Sequence, residues 1–281
     1  MQIIEHIQEM HNWSEAQRSA GKRIVLVPTM GSLHEAHLNL VREGRKRGDQ
    51  LVVSIFVNPK QFGPQEDYAA YPRDLEKDRS ALEKEHVDVI FHPPVETMYP
   101  ENFETYIELE RLSPLLCGAS RPGHFRGVAT VVAKLFNIVR PHMAIFGSKD
   151  YQQLQILRRM VEELNFDVVV AAHPIVREKD GLAMSSRNAY LSHEERQAAL
   201  SLSRSLKKAE SLVEQGEGEG KRILDAVRAE IEREPLVRIE YVRLCDPNTL
   251  EEIKNIKSQA LLALAVRIGK ARLIDNTILK S

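Results

Sequence analysis

Residues 23–37, RIVLVPTMGSLHEAH, decide the fold prediction. Apart from Arg23, the run RIVLVP (23–28) is apolar and rich in β-branched residues, which is typical of a buried strand. The Pro-Thr-Met-Gly turn that follows leads into residues with helical spacing. Ser32 and Glu35 have the S-x-x-E spacing of a capping box, so we predict a helix that begins at Ser32. The stretch therefore predicts a strand–turn–helix unit.

The same stretch predicts an anion site that carries two histidines. A helix N-terminus offers N–H groups and a favourable dipole, and His34 and His37 lie on one face of the predicted helix. Each imidazole can act as a neutral donor or become charged together with a ligand. A lone histidine here would more often be structural, and zinc ligation would need H-E-x-x-H or a third ligand. Two histidines beside this turn favour phosphate binding.

The rest of the N-terminal part alternates strand and helix patterns. Residues 1–13 have a helical pattern. Beyond residue 37 we predict strands at 50–57, 87–91, 143–146 and 166–172, and helices at 73–86, 127–139 and 150–164. Such alternation is typical of a parallel, doubly wound sheet, whose ligands bind beyond the carboxyl ends of the strands.

The pattern changes after about residue 176. Two amphipathic helices are predicted at 193–215 and 221–234, separated by GEGEG, and strands follow near 237–244, 260–267 and 271–279. Helices followed by consecutive strands are typical of an α+β domain. The predicted fold class is α/β, a Rossmann-like doubly wound parallel sheet (domain 1–176) with a smaller C-terminal α+β domain (177–281).

Composition excludes several classes of protein. The 281 residues carry a formal net charge of −1, so no broad basic field is available for nucleic acid. The two cysteines have no metal-ligand spacing, and no apolar stretch approaches the ~18 residues of a membrane span. The N-terminus does not have the pattern of a signal peptide. We expect a cytoplasmic protein without nucleic-acid or membrane partners.

Two further segments carry polar groups at predicted strand or helix ends. SIFVNPKQFGPQEDYAAYPR (54–73) offers the amides of Asn58 and Gln61, which suit a small hydroxy acid, although Asn58-Pro59 is also an ordinary turn. RPGHFRGVATVVAKLFNIVRP (121–141) combines glycines and cations at the start of an apolar helix, which is either a structural turn or part of a site.

Two more segments offer cations and hydroxyls. In FGSKDYQQ (146–153), Lys149 can bind phosphates as a point charge, while Asp150 and Gln153 have the spacing of a helix-capping pair. In VREKDGLAMSSRN (176–188), two serines and Arg187 can bind a polyphosphate, or the loop can simply cap the following helix. Both interpretations stay open at this point.

The five segments together resemble one known family. HEAH (34–37) resembles the H-x-G-H motif of class I nucleotidylyltransferases, and PTMG before it narrows the resemblance to the pantothenate synthetase (pantoate–β-alanine ligase) family. The match runs from Pro28 to KARLIDN (270–276). It implies ATP-dependent condensation of (R)-pantoate with β-alanine through a pantoyl adenylate, with release of AMP and pyrophosphate.

The resemblance also implies roles for particular residues. His37, as proton or hydrogen-bond donor, His34, Lys149 and Arg187 are implied as catalytic. The residues implied in ATP binding are Met30, Gly31, His34, His37, Gly147, Ser148, Lys149, Asp150, Val176, Met184, Ser185, Ser186 and Arg187. Those implied in pantoate or β-alanine binding are Gln61, Asn58 and Gln153.

The resemblance also has implications for the metal ion, for the assembly and for one position where this sequence departs from the motif. Mg²⁺ should bridge phosphate oxygens with few protein ligands. Asp78 is a candidate ligand, although LEKD (75–78) has Lys77 where some relatives carry an acid. The family suggests a homodimer through the N-terminal domain. Ala36 stands where the motif ordinarily has glycine, in a segment over which the adenine packs.

Alternative functions remain open at the level of sequence. Another H-x-G-H nucleotidylyltransferase would leave AMP on its product. A nucleic-acid-binding module is disfavoured by the near-zero net charge. A relative that only binds nucleotide is disfavoured because Lys149 and Arg187 are both present.

Overall fold

The computed structural model describes residues 1–64 and 66–281. These residues form two compact units. Unit 1 comprises Met1–Ser113, Arg121–Ser148 and Gln153–Pro174, and unit 2 comprises Pro114–Ser120, Lys149–Gln152 and Ile175–Ser281. The last change of unit follows Pro174, close to the domain boundary predicted after residue 176.

Unit 1 is built on a parallel sheet. Its strands are β1 (Gln2–Ile4), β2 (Ile24–Thr29), β3 (Gln50–Ile55), β4 (Val89–Phe91), β5 (Met143–Gly147) and β6 (Val169–His173). Within the described residues they lie in the order β1–β4–β3–β2–β5–β6, and every pair is parallel. The helices are α1 (Ile7–Ser19), α2 (Glu35–Arg47), α3 (Leu75–Lys84), α4 (Val95–Met98), α6 (His124–Val139) and α7 (Tyr151–Glu163). The predicted Rossmann-like class is confirmed.

Strand β2 is buried on both of its faces. Val25 and Val27 belong to a cluster that includes Leu40 of helix α2, while the alternate residues Ile24 and Leu26 are also fully buried. Successive side chains of a strand point to opposite faces, so both faces of the sheet are covered. The unbroken apolar run of residues 24–28 is explained by this double burial.

The first strand, β1, departs from the prediction. Residues 1–13 were expected to be helical, but Gln2–Ile4 pair with β4 and helix α1 begins only at Ile7. The pairing partner is Val89–Phe91, far away in the sequence. A local pattern contains no information about such a partner, so a three-residue strand is easily taken for the start of the following helix.

Unit 2 has a smaller antiparallel sheet. Its elements are α5 (Cys117–Ser120), α8 (His193–Glu214), α9 (Gly220–Ile231), β7 (Val237–Cys245), β8 (Gln259–Ile268) and β9 (Ala271–Lys280), with strand order β7–β8–β9 in the part described. Helix α8 begins with a Ser192–Glu195 capping box. Leu206 of α8, Val227 of α9 and Leu264 of β8 share one buried core. The predicted α+β character is confirmed.

The order of the strands points to the place where ligands bind in unit 1. From β2 the chain moves outward in one direction through β3 and β4, and from β5 in the other direction to β6. The sheet therefore has a topological switch point between β2 and β5. Ligands of such sheets bind beyond the carboxyl ends of the strands at this point, which here are Thr29 and Gly147.

Candidate active site

The turn after strand β2 is fixed by hydrogen bonds and close packing. The Thr29 hydroxyl donates to the carbonyl of Ser54 at 2.8 Å and accepts the N–H of Gly31 at 3.2 Å. Gly31 has φ +78°, and a Cβ atom there would lie 2.9 Å from Oδ2 of Asp78. Only glycine combines this backbone conformation with so little space.

Helix α2 begins later than the sequence predicted. Its first residue is Glu35 and its N-cap is His34, so the prediction of a capping box that starts the helix at Ser32 is wrong. Ser32 adopts φ +52°, and its N–H and that of Leu33 each donate to the Asp78 carboxylate at 2.8 Å. This buried carboxylate from helix α3 provides the acceptors, so the local capping pattern is not used.

Asp78 therefore serves the backbone of the turn. The residue is 2 % exposed. Burial raises the pKa of its carboxyl, and the N–H groups of Leu33 and Ser32 oppose this increase. Both carboxylate oxygens already accept a hydrogen bond, and no cluster of three or more His, Cys, Asp or Glu side chains suited to a metal occurs among residues 1–64 and 66–281. These residues do not form a protein cage for a cation.

The two histidines of the opening stretch form a stacked pair. Their ring centroids are 4.1 Å apart, with 28° between the ring planes. Nδ1 of His37 accepts the N–H of His34 at 3.4 Å. A nitrogen that accepts a hydrogen bond does not carry the hydrogen of a neutral imidazole, so neutral His37 has its N–H at Nε2. The backbone contact thus makes His37 an Nε2 donor.

Asn58 precedes a short 3₁₀ turn at Pro59–Gln61 and is 1 % exposed. Its Nδ2 donates to Oε1 of Gln61 and to the carbonyl of Gly127, both at 3.1 Å. Its Oδ1 accepts from Oη of Tyr99 at 2.8 Å and from the N–H of Lys60 at 3.2 Å. A primary amide has two donors and two lone pairs, so its capacity is filled. A direct contact of Asn58 with a substrate would require one of these bonds to break.

The backbone carbonyl of Gln61 is held at the start of helix α6, by Arg121 before the helix and by His124, its first residue. It accepts from Nδ1 of His124 at 2.8 Å and from Nη2 of Arg121 at 3.4 Å. Nη1 of Arg121 lies 2.9 Å from Nε2 of His124, and the same guanidinium pairs with Glu66 at 2.6 Å. The pKa of Glu66 is lowered, because the hydrogen bond and charge of Arg121 outweigh the effect of burial. These contacts give the RPGHFRG motif a definite task, which is to hold Gln61.

Gln61 lies directly beside the turn after strand β2. Its Nε2 is 3.0 Å from Sδ of Met30. The structure thus brings together one residue implied in pantoate binding and one implied in ATP binding. Both are held by rigid elements of unit 1, since Met30 follows β2 and Gln61 is anchored to the start of α6.

The second strand end at the switch point carries Gly147 and Ser148. Gly147 pairs with His173 of β6, and a Cβ atom at Gly147 would meet no atom within 4 Å. Helix α7 begins at Tyr151, so Asp150 is the residue before the helix and Gln153 is its third residue. These are the positions expected of the predicted capping pair.

In unit 2, Lys149 is held against the serine-rich loop. Its Nζ donates to the carbonyl of Met184 at 3.1 Å. Burial lowers the pKa of the Lys149 ammonium and the charge of Arg187 acts in the same direction, while the carboxylates of Asp150 and Asp275 oppose the decrease. The cost of burying this ammonium charge is offset when an anionic ligand binds beside it.

The residues around this loop form a small hairpin. Arg177 and Ala183 are bridged in antiparallel fashion, and the N–H of Met184 donates to the carbonyl of Val176 at 3.0 Å. The hydroxyl of Ser185 accepts the N–H of Arg187 at 3.3 Å and caps a 3₁₀ turn over Ser186–Tyr190. Ser185 therefore caps this 3₁₀ turn, whereas the helix that follows, α8, is capped by Ser192.

Several residues of these clusters were not predicted from the sequence. They include the Asp78 contact with the turn, Tyr99, Glu66 and, in unit 2, Asn276, whose Nδ2 donates to the carbonyl of Lys149. The motifs RPGHFRG and KARLIDN (270–276) gave a signal for two of these networks, but not the identity of the partners.

Comparison with known proteins identifies the family. The profile described as pantoate–β-alanine ligase matches residues 2–278. The pantothenate synthetase of Thermotoga petrophila is 59 % identical over 279 residues, covering 99 % of this chain and 100 % of that protein. The crystal structure of pantothenate synthetase from Thermus thermophilus has a TM-score of 0.92 and 46 % identity, covering 99 % of each chain.

A third relative was solved with bound ligands. The pantoate–β-alanine ligase of Francisella tularensis, complexed with β,γ-ATP and β-alanine, has a TM-score of 0.81 and 30 % identity and covers 99 % of this chain and 97 % of its own. The profile and the relatives extend over nearly the full length of the chain described above. The chain therefore belongs to the pantoate–β-alanine ligase family.

Proposed function

We propose that this chain catalyses the ATP-dependent condensation of (R)-pantoate with β-alanine to pantothenate, releasing AMP and pyrophosphate. Membership of the family over residues 2–278 supports the reaction. The contact that carries the proposal is the 3.0 Å approach of Gln61 Nε2 to Met30 Sδ, which joins the implied pantoate residue to the implied ATP turn.

The first step forms the acyl adenylate. The pantoate carboxylate attacks the α-phosphorus of ATP in line, the new C–O–P bond forms, and the bond to pyrophosphate breaks. This chemistry depends on positioning and on stabilising charge in the transition state. The Nε2–H of His37 donates to a phosphate oxygen that gains charge. His34, Lys149, Ser185, Ser186 and Arg187 bind the triphosphate.

The second step forms the amide. The neutral amine of β-alanine attacks the carbonyl carbon of pantoyl adenylate and the C–N bond forms. The C–O bond to AMP then breaks, AMP leaves as its phosphate anion, and the amine nitrogen gives its extra proton to water. Gln61 and Gln153 bind the pantoate moiety, and Gln61 also contacts β-alanine. Asn58 orients Gln61, because all its polar groups are engaged by protein partners.

The remaining ATP contacts come from backbone and small side chains. Met30 and Gly31 form the turn after β2, and Gly147 follows the neighbouring strand. The other residues proposed to contact ATP are Ser148, Asp150, Val176 and Met184. An open space at Gly147 supports its assignment, because a backbone segment without a side chain lets a ligand approach closely.

We propose that Mg²⁺ would be held by ATP itself rather than by side chains of this chain, and that it would neutralise part of the negative charge of the phosphates. Asp78 fits poorly as its ligand, since both oxygens accept backbone N–H groups. No step of the proposed reaction depends on a metal ligand from the protein.

A single assay tests the reaction. The protein is incubated with ATP, pantoate and β-alanine, and free AMP and pantothenate are measured. We expect AMP release to require both pantoate and β-alanine. A nucleotidylyltransferase that leaves AMP on its product would instead give pyrophosphate and an adenylylated product, with no effect of β-alanine, and that result would contradict the ligase proposal.

Gln61→Ala tests the pantoate site. We expect the KM for pantoate to increase at least about tenfold and the KM for ATP to change less than about twofold, because one buried polar contact contributes on the order of 1.4 kcal/mol. Steady-state kinetics with each substrate varied measures both values. Equal effects on the two substrates would mean that the variant only disrupts the turn.

Ala36→Gly tests the departure from the motif. Ala36 is the second residue of helix α2 and is partly exposed. Glycine costs a helix roughly 0.5–1 kcal/mol relative to alanine, so we expect a lower melting temperature. We also expect tighter ATP binding, because the alanine methyl narrows the space beside the purine. Calorimetric titration measures the Kd for ATP of both proteins, and an unchanged Kd would mean that the pocket already accommodates the methyl group.

We also propose a cytoplasmic homodimer of two-domain chains, with the domains at 1–176 and 177–281 and contact through the N-terminal domain. Cys117 and Cys245 are both buried free thiols, which supports a reducing compartment. Among the helices described, none is long and apolar enough to cross a bilayer. Sedimentation velocity tests the homodimer, and cell fractionation tests the cytoplasmic location. A salt-sensitive gel shift with tRNA would revive a nucleic-acid-binding role.

A further inference from the structure

Two consecutive residues of strand β9 reach both ATP segments of unit 2. Asp275 is 2 % exposed and Asn276 is 6 % exposed. Nδ2 of Asn276 donates to the carbonyl of Lys149 at 2.8 Å. The carboxylate of Asp275 accepts from Nη1 and Nη2 of Arg177 at 2.6 and 3.0 Å. One short piece of a rigid strand thus holds Lys149 on one side and the 176–184 hairpin on the other.

Arg177 links Asp275 to both arms of the hairpin. The same guanidinium donates to the carbonyl of Gly181 at 3.1 Å, near the hairpin tip. Its backbone bridges to Ala183, the residue before Met184. The N–H of Asn276 also donates to Asp275 at 2.8 Å, so three donors orient the carboxylate. Met184 is therefore fixed relative to β9 through a chain of short contacts.

Lys149 is held at both of its ends. Asn276 binds its carbonyl, and its Nζ donates to the carbonyl of Met184 at 3.1 Å. The ammonium, the hairpin and the strand therefore form a closed loop of hydrogen bonds. A long lysine side chain loses much rotational freedom in such an arrangement, and a phosphate group then meets an ammonium that is already in place.

A purely stabilising role explains this arrangement poorly. A buried Asp–Arg pair contributes little net stability, because the removal of both charges from water offsets their attraction. Asn276 binds the backbone carbonyl of Lys149, the lysine implied in phosphate binding. The specific partners, rather than the burial, distinguish these two residues from other polar residues of β9.

We propose that Asn276, supported by the Asp275–Arg177 pair, is a positioning residue that fixes Lys149 against the Met184–Arg187 loop for binding the phosphates of ATP. The inference rests on the proposed use of ATP. It assigns Asn276 no contact with the nucleotide, because its amide acts through the carbonyl of Lys149.

The test compares two neighbouring alanine variants. Asn276→Ala removes the hydrogen bond to Lys149, and Thr277→Ala removes that of the next residue, whose Oγ1 donates to Oε1 of Glu210 at 2.6 Å. For Asn276→Ala we expect about tenfold weaker ATP binding and a KM for pantoate within about twofold of wild type. For Thr277→Ala we expect both values within about twofold of wild type. Thermal unfolding of both variants measures the loss of stability.

Calorimetric titration with ATP alone measures the Kd for ATP, which a purely structural role of Asn276 would not change. Equal ATP affinities of the two variants, or an Asn276→Ala effect confined to the melting temperature, would overturn the proposal. If Asn276→Ala does not fold, Arg177→Lys is tested in its place, since lysine cannot make the bidentate pair with Asp275. ATP binding by Arg177→Lys that is as tight as in the wild-type protein would then overturn the proposal. Wild-type protein that binds ATP but does not make pantothenate refutes the proposed reaction alone. Wild-type protein that does not bind ATP refutes both.

Discussion

Replacing His37 by alanine is expected to lower the rate of adenylate formation by about 10²- to 10³-fold, the usual cost of losing one transition-state hydrogen-bond donor. The contact between His37 Nδ1 and the N–H of His34 keeps the hydrogen of the neutral ring at Nε2. The donor is thus oriented before ATP binds, and an alanine cannot replace it. ATP–pyrophosphate exchange, measured with pantoate and without β-alanine, isolates this step.

The matched control for this variant is His193→Ala, an exposed histidine at the first position of helix α8. Its exchange rate should equal that of the wild-type protein. His37→Gln, which retains an N–H donor on a side chain of similar length, is expected to recover part of the lost rate. Exchange by His37→Ala at nearly the wild-type rate would remove His37 from the catalytic step.

Gly127→Ala is expected to lower kcat/KM for pantoate by about 10²-fold, the loss typical of a reacting group displaced by about 1 Å. A Cβ atom at Gly127 would lie 2.1 Å from the carbonyl oxygen of Lys60 and 2.7 Å from the nitrogen of Gln61. The 3₁₀ turn would have to move away, and Gln61 with it. Alanine favours an isolated helix by roughly 0.5–1 kcal/mol, so a weaker helix α6 cannot explain the loss.

A double variant separates displacement of Gln61 from general damage. If Gly127→Ala acts through Gln61, it should have little further effect on pantoate kinetics in a Gln61→Ala background. Asn137→Ala, at an exposed position of the same helix, serves as the control. Effects of Gly127→Ala and Gln61→Ala that multiply fully would show that the two residues act independently.

The alternation of strands and helices was predictable because apolar spacing reports burial. Strand β2 and helix α6 are examples, since each has an apolar pattern that matches its covered faces. The start of helix α2 was not predictable in this way. Asp78 lies 46 positions from Ser32, and its carboxylate takes the N–H groups that the local S-x-x-E pattern would have left to a cap.

The candidate site shows the same division between local and distant information. The segments that carry Gln61, Lys149 and Arg187 can be singled out as candidates from the sequence, because each combines polar groups with the end of a strand or the start of a helix. The orientation of Asn58 was not found, because its partners Tyr99 and Gly127 are 41 and 69 positions away. Whether an amide faces a ligand or the protein depends on such distant partners.

Asn58 also has a consequence for how this enzyme can be redesigned. Its amide connects three separate parts of the chain, namely the Lys60–Gln61 turn, Tyr99 and helix α6 at Gly127. Any replacement at position 58 leaves several buried groups without partners in one step, and compensation would need simultaneous changes in distant segments. In a library selected for acceptance of a bulkier hydroxy acid, asparagine should return at position 58 in the survivors, while the useful diversity collects around Gln61.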